Sequence, residues 1–352
     1  MLITNKVAFI SGVMVLVDTD MGLVSANFPD ASMVHRGEFI EYDSILIKNK
    51  VPKLSSLRDS PHSKKKQSKD VVRLAPFVFN LKQSTTVADT NITQFGENAY
   101  STNPSMTTKE AAMLEPMADL MRDIYIGQLY VAGQVLMKGI VPEGYHGTEG
   151  VEDIEMNIPA ENLETLDNVT NLFWTDADSN PLEDILRMYM KMKVKPTRLI
   201  MSQATYALIE SNKNVYTASN NTDGKAINFV KNMNPNPELK YYSAGTIVGY
   251  RGMNIEIFIE TQTVTLSDGV TSAQVIEDGF VIFASNGMGS TEFTAIPVSQ
   301  DNGNIELVAE KIHIGEDFKK YPAVHDVVLQ TSMLTLIKNP HAYARQKVIA
   351  GI

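Results

Sequence analysis

Several residues in this chain are of types that can do chemistry, and their spacing limits what each can do. Asp176, Asp178, Glu183 and Asp184 lie close enough in sequence to suggest paired carboxylates or a calcium loop. The calcium pattern fails, because the required Gly and terminal Glu are out of place. Asn180-Pro181 instead marks a helix start, with Asn as N-cap and Pro at the first helical position. Glu183 and Asp184 then fall in the first turn, where acidic side chains suit the helix dipole. Asn286-Gly-Met-Gly289 lacks the third Gly and the Lys-Ser/Thr of nucleotide loops, so it reads as a turn between strands. The histidines, His35, His62, His146, His313, His325 and His341, are scattered, and no two stand at metal-ligand spacing. No Ser sits in a nucleophile elbow. The absence of Cys excludes disulfides, thiolate catalysis and zinc–thiolate sites. The expectation is no catalytic, cofactor or metal site.

Lys64-Lys65-Lys66 with Lys69 is the remaining candidate, as a nucleic-acid contact. No aromatic residue interleaves with these lysines, and single-strand binders stack bases on aromatics. The charge distribution is more informative. From Lys48 to Arg73 there are nine Lys/Arg and two Asp, a net of 9 − 2 = +7. The whole chain carries −10, so the remainder totals −10 − 7 = −17. An acidic body argues against tight nucleic-acid binding. A basic segment on an acidic body instead favours attraction between copies, which sets encounter and register more than raw affinity.

The elements that must position these residues follow from periodicity. With 352 residues, 43% of them hydrophobic, the chain has material for a substantial core. No apolar run reaches the roughly 18 residues of a membrane span, so no membrane partner is expected. The stretch Val7 to Val17 contains Ser11 and Gly12 and is closed by Asp18 and Asp20, which reads as an arm or strand. Val13, Val15, Leu16 and Val17 are its candidate contact residues, because apolar side chains left in water are a liability. Two β-rich runs, residues 38–54 and 71–81, flank the basic tip and read as one long hairpin. Its contact candidates are Arg58, Lys64, Lys65, Lys66, Lys69 and Arg73.

A helix is expected over about 107–138, opened by Thr107 with Glu110 as a capping box and stopped by Gly139. Pro116 should kink or split it, and Gly127 and Gly133 should soften it. A hairpin is expected in residues 140–160 around GYHG. Further on come a helix after Asn180, a buried strand from Arg198 to Met201, a helix from Gln203 to Ser211 capped by Ser202, and a weaker helix from Gly224 to Met233. Strands follow at Thr246 to Tyr250, Asn254 to Glu260, Gly279 to Ala284 and Ser290 to Ile296, with Asp268-Gly269 as a tight turn. The abundant methionines suit surfaces that must rearrange.

The C-terminal region, with Tyr321-Pro322, the run Val327 to Ile337, the turn Asn339-Pro340-His341 and then Val348-Ile349, resembles the end of the major capsid proteins of lambda-like tailed phages. Phe173-Trp174, Asp176, Asp178, Asn180-Pro181-Leu182 and Asp184-Ile185 are similar to the segment that opens the axial domain in that family. Pro196 to Met201 resembles its next strand. The order of these segments, with the basic hairpin and the long helix, agrees over residues 38–350.

The resemblance implies the Hong Kong 97 capsid fold, an α+β architecture. Its parts would be an N-terminal arm (1–37), an extended loop (38–81), a peripheral domain with a spine helix (82–160), an axial domain (161–300) and a return to the peripheral domain (301–352). It also implies a structural subunit, not an enzyme. Copies would assemble into pentamers and hexamers of an icosahedral shell around double-stranded DNA, with only weak non-specific contact to the DNA. A separate scaffolding protein, a portal and a decoration protein are the implied partners. The location would be the virion, after assembly in the bacterial host cytoplasm. The alternatives are an encapsulin nanocompartment, which shares the fold, and a soluble α/β enzyme or ligand-binding domain in residues 161–300.

Overall fold

The structure, a computed structural model, describes residues 17, 19–37, 39–44, 70–74, 76–86, 108–141, 154–156, 158–167, 171–215, 228–231, 239–266, 269–299, 305–319 and 324–350. In chain order the elements are α1 (Gly22–Asn27), β1 (Asp30–His35), β2 (Ile40–Ser44), β3 (Asp70–Leu74), β4 (Phe77–Thr86) and α2 (Thr108–Lys138). Then come β5 (Ile140–Val141), β6 (Ile154–Glu155), β7 (Leu163–Thr165), α3 (Pro181–Lys191), β8 (Arg198–Ser202), α4 (Gln203–Ser211) and β9 (Asn228–Lys231). The remaining strands are β10 (Tyr241–Tyr250), β11 (Met253–Glu260), β12 (Thr263–Thr265), β13 (Ser272–Gln274), β14 (Phe280–Ala284), β15 (Gly289–Thr294) and β16 (Ile296–Ser299). They end with β17 (Ile305–Val308), β18 (His313–Lys319), β19 (Val324–Ile337) and β20 (Tyr343–Lys347).

Two sheets organise the molecule. In the first, β19 is the long central strand. β4 lies along one flank, pairing from Thr86↔Val324 to Phe77↔Met333. The other flank is shared by β18, over Val324–Gln330, and β15, over Met333–Ile337, and β1 adds in parallel beyond β15. The second sheet has seven strands in the order β7-β20-β14-β8-β11-β10-β9. Its central strands are apolar, β14 along its length and β8 from Leu199 to Met201, as strands covered on both faces must be. The β10–β11 turn places Arg251 at φ 45 and Gly252 at φ 83, the conformation that a two-residue hairpin turn demands.

α2 spans about 45 Å at 1.5 Å per residue. It is a single helix with Pro116 inside it, and it is not split there. Gly127 and Gly133 stand where neighbouring groups crowd the helix. A Cβ at Gly127 would stand 2.8 Å from Phe79 Cε1, and one at Gly133 would collide with the Val275 carbonyl oxygen. Both glycines let the helix approach its neighbours closely. Leu129, Ala132, Val135 and Leu136 join the main core cluster, and Met117, Leu120, Met121 and Ile124 form a separate cluster against β19. Gly139, at φ 71, ends the helix as expected.

Several sequence expectations change. The two β runs around the basic tip are not one hairpin arm each: β2 pairs with β3 from Ile40↔Leu74 to Ser44↔Asp70, while β4 leaves for the first sheet. Pro76, which lacks an N–H, stands between them. Residues 19–37 are not an arm that lies off the core. Leu23, Val24 and Phe28 are buried in the main cluster and β1 pairs with β15. Val348-Ile349, expected as a final strand, lies just beyond the last described strand, Tyr343–Lys347, which sits in the seven-stranded sheet between β7 and β14. Asn228–Lys231 is an edge strand where a helix was expected, because pairing with β10 outweighs local propensity. Among the described residues most methionines are buried, Met201, Met253 and Met288 among them, while Met33 and Met190 are exposed. The Thr107 cap, the GYHG turn and Tyr321-Pro322 lie outside the described residues.

Candidate assembly surfaces

The acidic group resolves into a helix start. The Asn180 side chain accepts from the Glu183 amide and Pro181 takes the first helical position of α3. Trp174 Nε1 donates to Asp184 Oδ2 at 3.0 Å, and Arg187 donates to Asp184 Oδ1 at 2.7 Å. Burial raises the Asp184 pKa against the opposing pull of Arg187 and Trp174. Glu164, bonded to Arg187 and Lys191, is held below the usual carboxylate range although burial alone would raise it. Glu183 accepts from the Tyr250 hydroxyl and pairs with Arg251, and Asp178 pairs with Lys213 at 2.7 Å. Glu164, Glu183 and Asp184 fasten α3 to its surroundings, and Asp178 ties the turn before it to the segment after α4. Among the described residues no group of three His, Cys, Asp or Glu is placed to hold a metal ion. Asn286 to Gly289 is the β14–β15 turn, with Gly287 at φ 73.

The basic hairpin is anchored at its base. Ile40 is fully buried and Leu74 packs against the same cluster. Arg73 stands on β3, in register with Glu41 of β2. Arg58, Lys64, Lys65, Lys66 and Lys69 lie outside the described residues, as do Val13, Val15 and Leu16. Val17 packs against the cluster of Met117, Met121 and Phe293, so that residue contacts its own subunit.

A second hairpin went unnoticed in the sequence. β16 pairs with β17, Pro297 opposite Leu307 and Ser299 opposite Ile305. Ile296 is fully buried at its root, while Ile305 is 74% and Leu307 43% exposed. These two alternate residues share one face of the strand, so the hairpin carries an apolar stripe into solvent. Ile305-Glu306-Leu307 shows that alternation in sequence, but that both faces of the strand meet water is a tertiary fact. Met33, on the edge strand β1, Met190, Val78 and Val270 are other strongly exposed apolar side chains among the described residues.

A long helix tied to two sheets, with the paired strands β2–β3 and β16–β17 beside them, defines a class. The fold is shared with a solved prophage capsid protein. The crystal structure of a putative capsid protein of a prophage from E. coli CFT073 is similar over 98% of this chain and 99% of its own, with a TM-score of 0.65 at 12% identity. A phage-related protein from Bordetella bronchiseptica RB50 covers 97% of this chain and 96% of its own, with a TM-score of 0.52 at 11% identity. No curated protein sequence matches the chain. The sequence does match the family described as phage major capsid protein E over residues 28–348. The chain belongs to that family. It is a structural subunit of a bacteriophage capsid and its place is the virion.

Proposed function

We propose that this subunit closes an icosahedral shell of pentamers and hexamers around double-stranded DNA, with the basic hairpin lying on an acidic neighbouring copy. The observation that carries this reading is the charge partition, +7 on residues 48–73 against −17 elsewhere, in a chain of a capsid family. In this reading the first sheet with α2 is the peripheral domain and the seven-stranded sheet with α3 and α4 is the axial domain. β20 then links the two, because the Tyr343 hydroxyl donates to the Leu136 carbonyl at the end of α2. A scaffolding protein, a portal and a decoration protein are the further partners. The family match over residues 28–348 supports a structural role over the enzyme reading of residues 161–300, and a phage shell over a nanocompartment.

The test reverses the loop. Replacing Lys64, Lys65, Lys66 and Lys69 with Glu changes the segment from +7 to −1, since four charges each shift by two. Attraction becomes repulsion, most strongly at low salt. Folded subunits that fail to form shells under the electron microscope are expected. Normal shells at low salt would remove the electrostatic role.

A further inference from the structure

Glu260 ends β11, in register with Tyr241 of β10 and Ser202 of β8. It is 2% exposed. Its Oε1 accepts from the Gln262 amide at 2.8 Å, and its Oε2 has no hydrogen-bond partner among the described residues. Gln262 in turn donates from Nε2 to the Asp20 carbonyl at 2.8 Å. The Asp20 carboxylate takes the Lys240 and Tyr241 amides at 2.8 and 3.0 Å and the Gly22 amide at 2.8 Å. One polar chain therefore runs from Glu260 through Gln262 to Asp20, and it fastens the segment that leads into α1. Arg198 adds a bond from β8 to the Ala26 carbonyl.

We propose that Glu260 is a proton-operated latch that keeps residues 20–28 docked on the seven-stranded sheet. As a neutral acid, Glu260 keeps its bond from Gln262 without placing charge in the interior. As an anion, it puts an uncompensated charge in an enclosed site beside Asp20, the nearest described like charge that acts on it. The other ionisable groups of this region are Tyr241 and Lys240 of β10 and its approach, Arg198 of β8, Glu256 of β11, and Asp278, which accepts from Ser202. α1 itself carries no charged residue. Burial, then the Asp20 charge, pushes the Glu260 pKa up to about 7, against the Gln262 and Thr261 hydrogen bonds. The docked segment binds a proton that the released one gives up. Docking is therefore strongest in acid and weakens as pH rises from 4.5 toward about 7.

Amide hydrogen exchange of the full chain, corrected for intrinsic rates, tests this at Gly22, Lys240 and Tyr241. Between pH 5.5 and pH 8 the opening constant of the wild type should rise roughly 30-fold by proton linkage. Glu260→Gln, which mimics the neutral acid, should hold the low-pH protection throughout. Infrared difference spectra between wild type and Glu260→Gln at pH 6 should show a protonated carboxyl and keep the test decisive if the variant folds poorly. Equal pH dependence in both proteins, or no protonated carboxyl at pH 6, overturns the proposal.

Discussion

Gly133→Ala isolates the close approach of α2 to the rest of the core. Helix propensity alone favours Ala over Gly by about 1 kcal/mol. The structure opposes it. The new methyl would overlap the Val275 carbonyl oxygen and stand 3.0 Å from both the carbonyl carbon and Cγ1. Val275 is fully buried and its amide donates to the Gln262 carbonyl, so that backbone cannot withdraw cheaply. The helix cannot withdraw either, because residues 131–137 are all buried. Overpacking of this kind costs up to about 3 kcal/mol. The net is about 2 kcal/mol of destabilisation after the propensity gain. Gly127→Ala is the internal control. There the methyl would meet the outer edge of the Phe79 ring, at 2.8 and 3.2 Å from Cε1 and Cζ. That ring is only half-buried and can turn, so the two effects should cancel to within about 0.5 kcal/mol. Denaturant unfolding of unassembled subunits, followed by circular dichroism, measures both. If Gly133→Ala is as stable as Gly127→Ala, the close packing of α2 on Val275 is wrong.

Two further perturbations follow from the same reasoning. Deleting residues 1–16 should leave the subunit folded, whereas deleting 1–30 removes the buried side chains of Leu23, Val24 and Phe28. At about 1.5–3 kcal/mol each, that loss rivals a whole domain's stability, so unfolded or insoluble protein is expected from the longer deletion; a native circular-dichroism spectrum would contradict it. Ile305→Glu with Leu307→Glu changes exposed residues and should move stability by no more than about 0.5 kcal/mol per site. The variant should nonetheless assemble poorly by sedimentation, and normal shells would show that the stripe is not an interface.

Local rules made much of this protein legible in its sequence. The Asn180-Pro181 start, the Ser202 cap and the Gly139 stop are decided by groups within a few residues, and each appears in the structure where the sequence places it. The long helix, the buried strand at Arg198 and the strand through Val327 to Ile337 follow from hydrophobic period, which also acts over short range. The order of these segments carried the family resemblance. What the sequence could not decide depends on partners far along the chain. β20 pairs with β14 and β7, and β1 pairs with β15, because those strands happen to offer open edges at the right height. Gly127 and Gly133 read as weak points until Phe79 and Val275 appear beside them. Glu260 is one more strand-end carboxylate in the sequence. Only the fold closes Tyr241, Ser202 and the Asp20 segment around it, and desolvation by residues distant in the chain then changes its chemistry.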